Sequence, residues 1–289
     1  MSGHYELGKS LREDFRNHGA VKAPSLIEEE LLKRCCECFE WGKANPGPAA
    51  SKIFPNTIHE CLNDNANPKA RHRYIELVQR SVFGEFLKGL WDSEKVFFYS
   101  EELFSKRGGE CGRTPWHQDT FILPWGGPDW ANIWIPFHKV PRSNALEVVK
   151  GSYKGKLYDG CTFTNPEDPT EPYYDNGVLE RLPDIEADRA KNPDSWDVIG
   201  WGLDLGDALI VHPHSLHGGA KLSEEHPKRD TLVLRFFGDR ASFKPLPHSK
   251  GGFLASSSGE TDEFGPAFKG HLTHLKEGDA FRAPIFPEI

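Results

Sequence analysis

At 289 residues, 37% of them hydrophobic, the chain is long enough to bury a sizeable core as a single domain. Its formal net charge of −8, from 35 basic and 43 acidic residues, argues against binding nucleic acid through the phosphate backbone. No apolar run approaches a membrane span and Met1–Asp14 is mostly polar, so the expectation is a cytoplasmic protein with no membrane partner.

Taken in chain order, Ser25 and Glu28 form a capping box. Ile27, Leu31, Cys35 and Phe39 follow at helical spacing, which predicts an amphipathic helix ended by Asn45-Pro-Gly-Pro48. A second helical region runs from Arg71 to Trp91, with Ile75, Val78, Val82, Phe86 and Leu90 on its buried side. Residues 1–94 therefore read as helical support braced against the outer face of a sheet. Cys35, Cys36 and Cys38 sit on the first helix, where neighbouring Cys35 and Cys36 point in different directions, and Cys61, Cys111 and Cys161 are scattered. They read as reduced packing residues rather than a metal or redox pair.

The core is expected over residues 95–240. Val96–Phe104 reads as a strand, and Lys106–Gly112 as a flexible link that follows it. Trp130–Phe137 alternates, with Asn132 and Trp134 on one face and Ile133, Ile135 and Phe137 on the other. Gly206-Asp207 reads as a turn and Ala208–His212 as a buried strand. Between them, residues 152–202 carry Tyr153, Tyr158, Tyr173, Tyr174, Trp196 and Trp201 among many Pro, Asp and Asn. A long irregular insertion rich in aromatics reads as a lid over a site, the alternative being a plain surface insertion. Residues 241–289 form a loop-rich extension, with a polar turn cluster at Ser256–Asp262 and Phe281–Pro287 laid along the outside of the core.

The chemistry is concentrated at His117-Gln-Asp119 and, far downstream, His217-Gly-Gly219. On extended backbone, residues i and i+2 share a face, so His117 and Asp119 can reach one ion. A third ligand then has to come from a neighbouring strand. Two imidazoles and one carboxylate are the ligand set of a non-haem Fe(II) site with open positions. A His-x-Asp alone is weak evidence in a chain with 13 histidines. His212 and His214 compete with His217 for the third place, but His212 ends an apolar strand and His214 follows a proline. Glycines after His217 suit a strand where backbone passes close to a ligand. Arg229, at the start of Arg-Asp-Thr-Leu-Val-Leu-Arg-Phe-Phe, has the fork geometry to take the distal carboxylate of 2-oxoglutarate.

These segments resemble the phytanoyl-CoA dioxygenase family of Fe(II)/2-oxoglutarate oxygenases. The resemblance is carried by Trp116-His-Gln-Asp119, Ile133-Trp-Ile135, Asn144-Ala-Leu-Glu-Val-Val-Lys-Gly-Ser-Tyr153, Gly206-Asp207, His217-Gly218 and Arg229, with Phe15–Pro24 similar to the family's opening. It implies a mainly β chain with flanking helices around a double-stranded β-helix, a cupin-like jelly roll. It also implies Fe(II) on His117, Asp119 and His217, 2-oxoglutarate on Arg229 with Thr114 and Trp134 near it, and O2 as oxidant. For Trp134 a core-packing role stays open, and for Thr114 a turn role. Two departures stand out. Tyr153 replaces a histidine common in the family, and the His217-to-Arg229 interval is one residue longer than expected. Arg235, of the same strand parity, is thus the second candidate anchor, its other reading being a surface or inter-strand salt-bridge partner.

The activity implied is oxidation of an unactivated C–H bond in a small-molecule metabolite or natural-product intermediate, with 2-oxoglutarate converted to succinate and CO2. Related halogenases carry a small residue in place of the metal carboxylate, so Asp119 implies hydroxylation, desaturation or ring formation. Two rival classes remain open. One is a cupin-like metalloenzyme that uses no 2-oxoglutarate, the other a non-catalytic jelly-roll binding protein. Neither the substrate nor the oligomeric state is legible.

Overall fold

The structure, a computed structural model, describes residues 8–53, 56–57, 61–108, 112–245 and 268–289. Cys111, part of the expected 106–112 link and the Ser256–Asp262 cluster lie outside the described residues.

The chain opens with α1 (Lys9–His18), β1 (Ala20–Ala23), α2 (Glu29–Ala44), β2 (Ser51–Ile53) and β3 (Cys61–Asn65). Helices α3 (Arg71–Gln79) and α4 (Phe83–Trp91) lead into the long strand β4 (Val96–Arg107). The middle supplies β5 (Trp125–Gly126), β6 (Trp130–Pro136), β7 (Leu146–Val149), β8 (Tyr158–Asp159), β9 (Glu180–Arg181), α5 (Ile185–Lys191) and β10 (Val198–Gly200). The last third adds β11 (Ala208–Val211), β12 (His217–Gly219), β13 (Lys228–Gly238), β14 (Ser242–Phe243) and α6 (Lys269–Leu272). A seven-stranded sheet runs β1-β11-β6-β13-β4-β3-β2, and a three-stranded sheet, β10-β7-β12, faces it. Every pairing in these two sheets is antiparallel. This is the two-layer jelly roll expected from the sequence.

Alternation along the strands divides the core. Ile133, Ile135, Leu232, Leu234 and Phe236 turn to one face and pack under α2, α3 and α4, with Phe39, Leu77, Phe86 and Leu90. The opposite face of β6 and β13 carries Asn132, Trp134, Thr231, Val233 and Arg235 and looks into the space between the sheets. The helices therefore do brace the outer face of the large sheet.

Local details differ from the sequence reading. Ser25 is no cap: it lies in left-handed conformation (φ 52) and its N–H donates to Asp207 Oδ1 at 3.0 Å. Ile27 N–H donates to Gly206 O, so the segment is tied to the 204–207 turn and the helix starts only at Glu29. The 71–91 helix is broken at Ser81, whose Oγ donates to Val78 O and accepts from Phe83 N–H. The break rotates α4 so that Phe83, Leu87 and Trp91 join Phe86 and Leu90 inside. Helix α1 was not foreseen, because Phe15 is its one buried residue and Leu11 its one other apolar residue.

The C-terminal segment is also placed differently. Phe281 and Phe286 do not lie along the exterior but against Trp130, Phe237 and Tyr99, at the end of the inward face. Strand β3 pairs with β4 only from Glu102 onward, which leaves the Val96–Phe98 edge open. Residues 287–289 fill it, with Phe98 N–H donating to Pro287 O and Ile289 N–H to Val96 O. A bulge in β4 adds Tyr99 to the same cluster, since Arg235 pairs with Ser100 and Phe236 with Phe98. Truncating the fully buried Phe281 to Ala is expected to cost about 3 to 5 kcal/mol. A urea titration showing less than about 1 kcal/mol would mean that this segment does not close the core.

Candidate metal centre

His117 and His217 are directly opposed in an antiparallel bridge, each N–H donating to the other's C=O at 2.9 Å. Opposed residues project to the same face, and the two imidazoles accordingly lie 4.3 Å apart, centroid to centroid. Gln118 is extended, and Asp119 opens a 3-10 turn with its N–H donating to Pro213 O. Asp119 Oδ1 stands 3.4 Å from His117 Nε2 and 3.7 Å from His217 Nε2. Among the described residues these three form the one group of three or more His, Cys, Asp or Glu whose ligand atoms converge, all within 4.8 Å.

The protonation pattern suits a metal. Nδ1 of His117 faces Pro115 O at 2.9 Å and Nδ1 of His217 faces Ser215 O at 2.9 Å. Each Nδ1–H is thereby fixed as a donor to a carbonyl, and each Nε2 keeps its lone pair toward the centre. Burial and the neighbouring His117 lower His217 to about 4, so it is neutral at pH 7. Burial alone would raise Asp119, but its hydrogen bond to His117 and the nearby Arg235 guanidinium hold it well below the usual carboxylate range. Two imidazole nitrogens with one carboxylate are a donor set for a borderline dication such as Fe(II).

His212 and His214 stay out of the centre. His212 is buried between Tyr153 (4.7 Å) and Phe15 (6.4 Å), and His214 Nδ1 faces Thr120 Oγ1 at 2.6 Å. Tyr153 covers His212, donates to Arg16 O and leaves no room for a Cβ at Gly19.

The centre opens on a cavity of about 410 Å³ between the two sheets. Arg229 is buried at one end, its Nη1 donating to Asn144 O and Ala220 O. A Cβ on Gly219 would lie 2.4 Å from Arg229 Nη2 and 3.1 Å from Thr114 Oγ1, so the glycine leaves a cradle where the three residues meet. Trp134 lines the same end. All of the sequence-predicted site residues thus reach one cavity. Arg235 reaches it too, but at the centre rather than the far end: it pairs with Glu102 and lies 3.7 Å from Asp119 Oδ2. It is buried, not a surface group.

Three contributors were missed. Asn132 donates to Asp119 Oδ2 at 2.6 Å; its inward parity was legible, its partner was not. Gln118 donates to Lys156 O and His214 O and accepts from Tyr158 N–H, pinning the start of the 152–202 insertion to the metal segment. Phe163, not the Tyr173-Tyr174 pair, brings the insertion into the cavity. Its ring stands edge-on to His117 at 5.0 Å. Tyr173 is 51% exposed and Tyr174 donates to Phe121 O, so the pair braces Phe121 from behind. Phe163 is held at φ 57, a left-handed conformation that costs a bulky residue about 1 to 3 kcal/mol. Contacts between Thr162 and Glu171 and a Cys161–Pro172 bridge hold the turn in place.

Jelly roll and centre together define the class: a 2-oxoglutarate-dependent oxygenase of the non-haem iron type. The chain belongs to the phytanoyl-CoA dioxygenase family, whose profile matches residues 15–229. No curated protein sequence matches it. Among solved structures it is similar to the epimerase SnoN in complex with Fe3+, alpha ketoglutarate and nogalamycin RO, at 15% identity and TM-score 0.66, with 97% of each chain covered. It is similar as well to the alpha ketoglutarate dependent carbocyclase SnoK from nogalamycin biosynthesis, at 18% identity and TM-score 0.61, covering 98% of this chain and 96% of that one. A third likeness is EvdO2 from Micromonospora carbonacea var. aurantiaca complexed with 2-oxoglutarate, at 16% identity and TM-score 0.53, covering 87% of this chain and 98% of that one. At such identities these likenesses show the fold. No described helix is long and apolar enough to cross a membrane.

The buried histidines set an acid limit on the metal-free protein. Burial, and then His214, lower His212 to about 3, so between pH 6.5 and that value the unfolded chain binds a proton that the native state does not. Stability contributed by keeping it neutral is complete above pH 6.5 and falls with pH by up to about 1.4 kcal/mol per unit. His217 adds the same slope down to about 4. Denaturation of metal-free protein at pH 7, 6 and 5 should show the decline, and His212→Asn should make it shallower by about one proton's worth. An unchanged slope would remove His212 from the account.

Proposed function

We propose that this protein oxidises an unactivated C–H bond of a small-molecule metabolite or natural-product intermediate, using Fe(II), 2-oxoglutarate and O2. His117, Asp119 and His217 hold the metal. Arg229 takes the far carboxylate of 2-oxoglutarate, with Thr114 and Trp134 beside it. The observation that carries this reading is the convergence of three ligand atoms within 4.8 Å at the wall of a cavity that also holds a buried guanidinium. The cradle left by Gly219 between Arg229 and Thr114 fits a carboxylate, and a side chain there would fill it.

When bound, the iron couples decarboxylation of 2-oxoglutarate to succinate and CO2 with oxidation of the substrate carbon. The chain's own residues orient and exclude. Both imidazoles are held by backbone carbonyls, which fixes their lone pairs toward the ion. Trp134, Val211 and Val233 form an apolar floor that keeps water from the co-substrate end. Phe121 and Phe163 and the amides of Asn63 and Asn65 share the lining. A cavity of about 410 Å³ lined by both apolar rings and side-chain amides suits a modest-sized, partly apolar molecule bearing hydrogen-bonding groups. The nogalamycin compound in SnoN supports a natural-product substrate. Asp119 leaves no place for a halide ligand, which supports hydroxylation, desaturation or ring formation.

Purified protein with Fe(II) should convert 2-oxoglutarate to succinate, accelerated by the right member of a panel of candidate substrates. Asp119→Ala is expected to abolish turnover, and Arg229→Ala to raise the KM for 2-oxoglutarate about 10- to 100-fold. Wild-type KM in Arg229→Ala would sink the co-substrate assignment and favour a cupin-like enzyme that does without 2-oxoglutarate. Iron binding without oxygen uptake on any substrate would favour a binding protein.

A further inference from the structure

The two oxygens of Asp119 have different surroundings. Oδ1 faces both imidazoles, at 3.4 Å from His117 Nε2 and 3.7 Å from His217 Nε2. Oδ2 turns away from them, accepts from Asn132 Nδ2 at 2.6 Å and lies 3.7 Å from Arg235 Nη2. Asn132 and Arg235 are register partners on β6 and β13, so adjacent strands grip this one oxygen. Both residues are at least nine-tenths buried, and neither can swing away without leaving the sheet interior.

Carboxylates bind metals through one oxygen or through two. The choice matters at an octahedral ion. With one oxygen from Asp119, the protein uses three positions, a chelating 2-oxo acid two, and one remains for oxygen. With both oxygens, every position is taken once the co-substrate is bound. We propose that Asn132 and Arg235 are positioning residues that restrict Asp119 to one-oxygen ligation, which keeps the last position of the centre available. The proposal rests on the function assigned above.

The grip also has to leave Asp119 free to serve the metal, because an unopposed guanidinium would compete for it. Glu102 prevents that. It pairs with the same Nη2 of Arg235 from the neighbouring strand β4, and is itself held by Asn63 Nδ2 at 2.8 Å and Asn65 Nδ2 at 3.4 Å. Asn65 Oδ1 takes Arg235 Nη1 at 3.3 Å. Arg235 is thus anchored to Glu102 and only leans on Asp119. Asn132, with the shorter contact, is the principal restraint, and Arg235 discourages Oδ2 from rotating toward the ion.

The test uses full-length protein loaded anaerobically with Co(II), whose visible bands report coordination number, titrated with 2-oxoglutarate by absorbance and calorimetry. Asn132→Ala removes the donor; Asn132→Leu removes it at nearly constant shape. Both are expected to change the Co(II) bands before co-substrate is added and to weaken 2-oxoglutarate binding about tenfold or more. Far-ultraviolet circular dichroism of the metal-free variants should match wild type. A charge-balanced Glu102→Gln/Arg235→Gln double variant should move the bands the same way, by less. Wild-type bands and wild-type 2-oxoglutarate affinity in both Asn132 variants would overturn the proposal. If wild type takes up Co(II) but does not respond to 2-oxoglutarate, the functional reading fails instead, and the bands of the Asn132 variants still decide whether the grip controls ligation. A wild type that binds no Co(II) overturns both.

Discussion

The centre depends on two backbone hydrogen bonds, those exchanged between His117 and His217. They join a segment before β5 to the start of β12 and make the two histidines opposite neighbours, although they are far apart in the chain. An opposed antiparallel pair places both side chains on one face, so no special side-chain geometry is needed to bring the imidazoles together. The same ladder continues through Thr114 N–H to Gly219 O, which carries Thr114 and the glycine cradle to Arg229. One strip of pairing therefore locates the three converging ligands and the Arg229 end of the cavity at once.

The facing wall is built by period-two alternation along β13. Arg229, Thr231, Val233, Arg235 and Phe237 share one side, while Leu232, Leu234 and Phe236 pack under the helices. Read from Arg229 to Phe237, the inward row passes from the buried guanidinium at the cavity end, through the floor, to the group beside Asp119, and ends in the aromatic cluster. This ordering explains why the interval between His217 and Arg229 tolerates an extra residue. Arg229 is fixed by its register against Lys106 on β4, not by its distance in sequence from the histidine.

Much of this was legible beforehand, and the reason is physical. His117, Asp119, His217 and Arg229 are residue types with few bland roles in such company, and strand parity gave the inward faces of β6 and β13 correctly. What stayed hidden depends on partners that sequence does not bring together. Asn132 looks like any inward polar residue until Asp119 is placed above it. Arg235 reads as a salt-bridge partner, which it is through Glu102 on the next strand, but its approach to Asp119 shows only once the strands are placed together. Phe163 sits in a stretch without periodicity, and nothing in its neighbours announces a left-handed turn. Ser25 and Glu28 satisfy the capping pattern, but Asp207 claims the Ser25 N–H and Gly206 ties down the next residues, so a tertiary contact overrides a local signal. The C-terminal aromatics misled for a related reason: the vacancy they fill is created by β3 stopping short on β4.

The buried row Glu102–Arg235–Asp119 bears on what the protein holds. Within it two carboxylates meet one guanidinium, in a place where desolvation makes uncompensated charge costly. Two further buried cations, Lys106 and Arg229, line the same cavity, so its negative charge is concentrated at Asp119 and Glu102 rather than spread along the walls. A dication at the point where the three ligand atoms converge meets the Asp119 carboxylate directly, whereas the Arg229 end presents positive charge. The aromatic cluster at the Phe237 end and the Trp134 floor border the row with apolar surface. The fold therefore supplies more than three donor atoms: it sets an anionic ligand at the centre and a cationic side chain at the far end of one cavity.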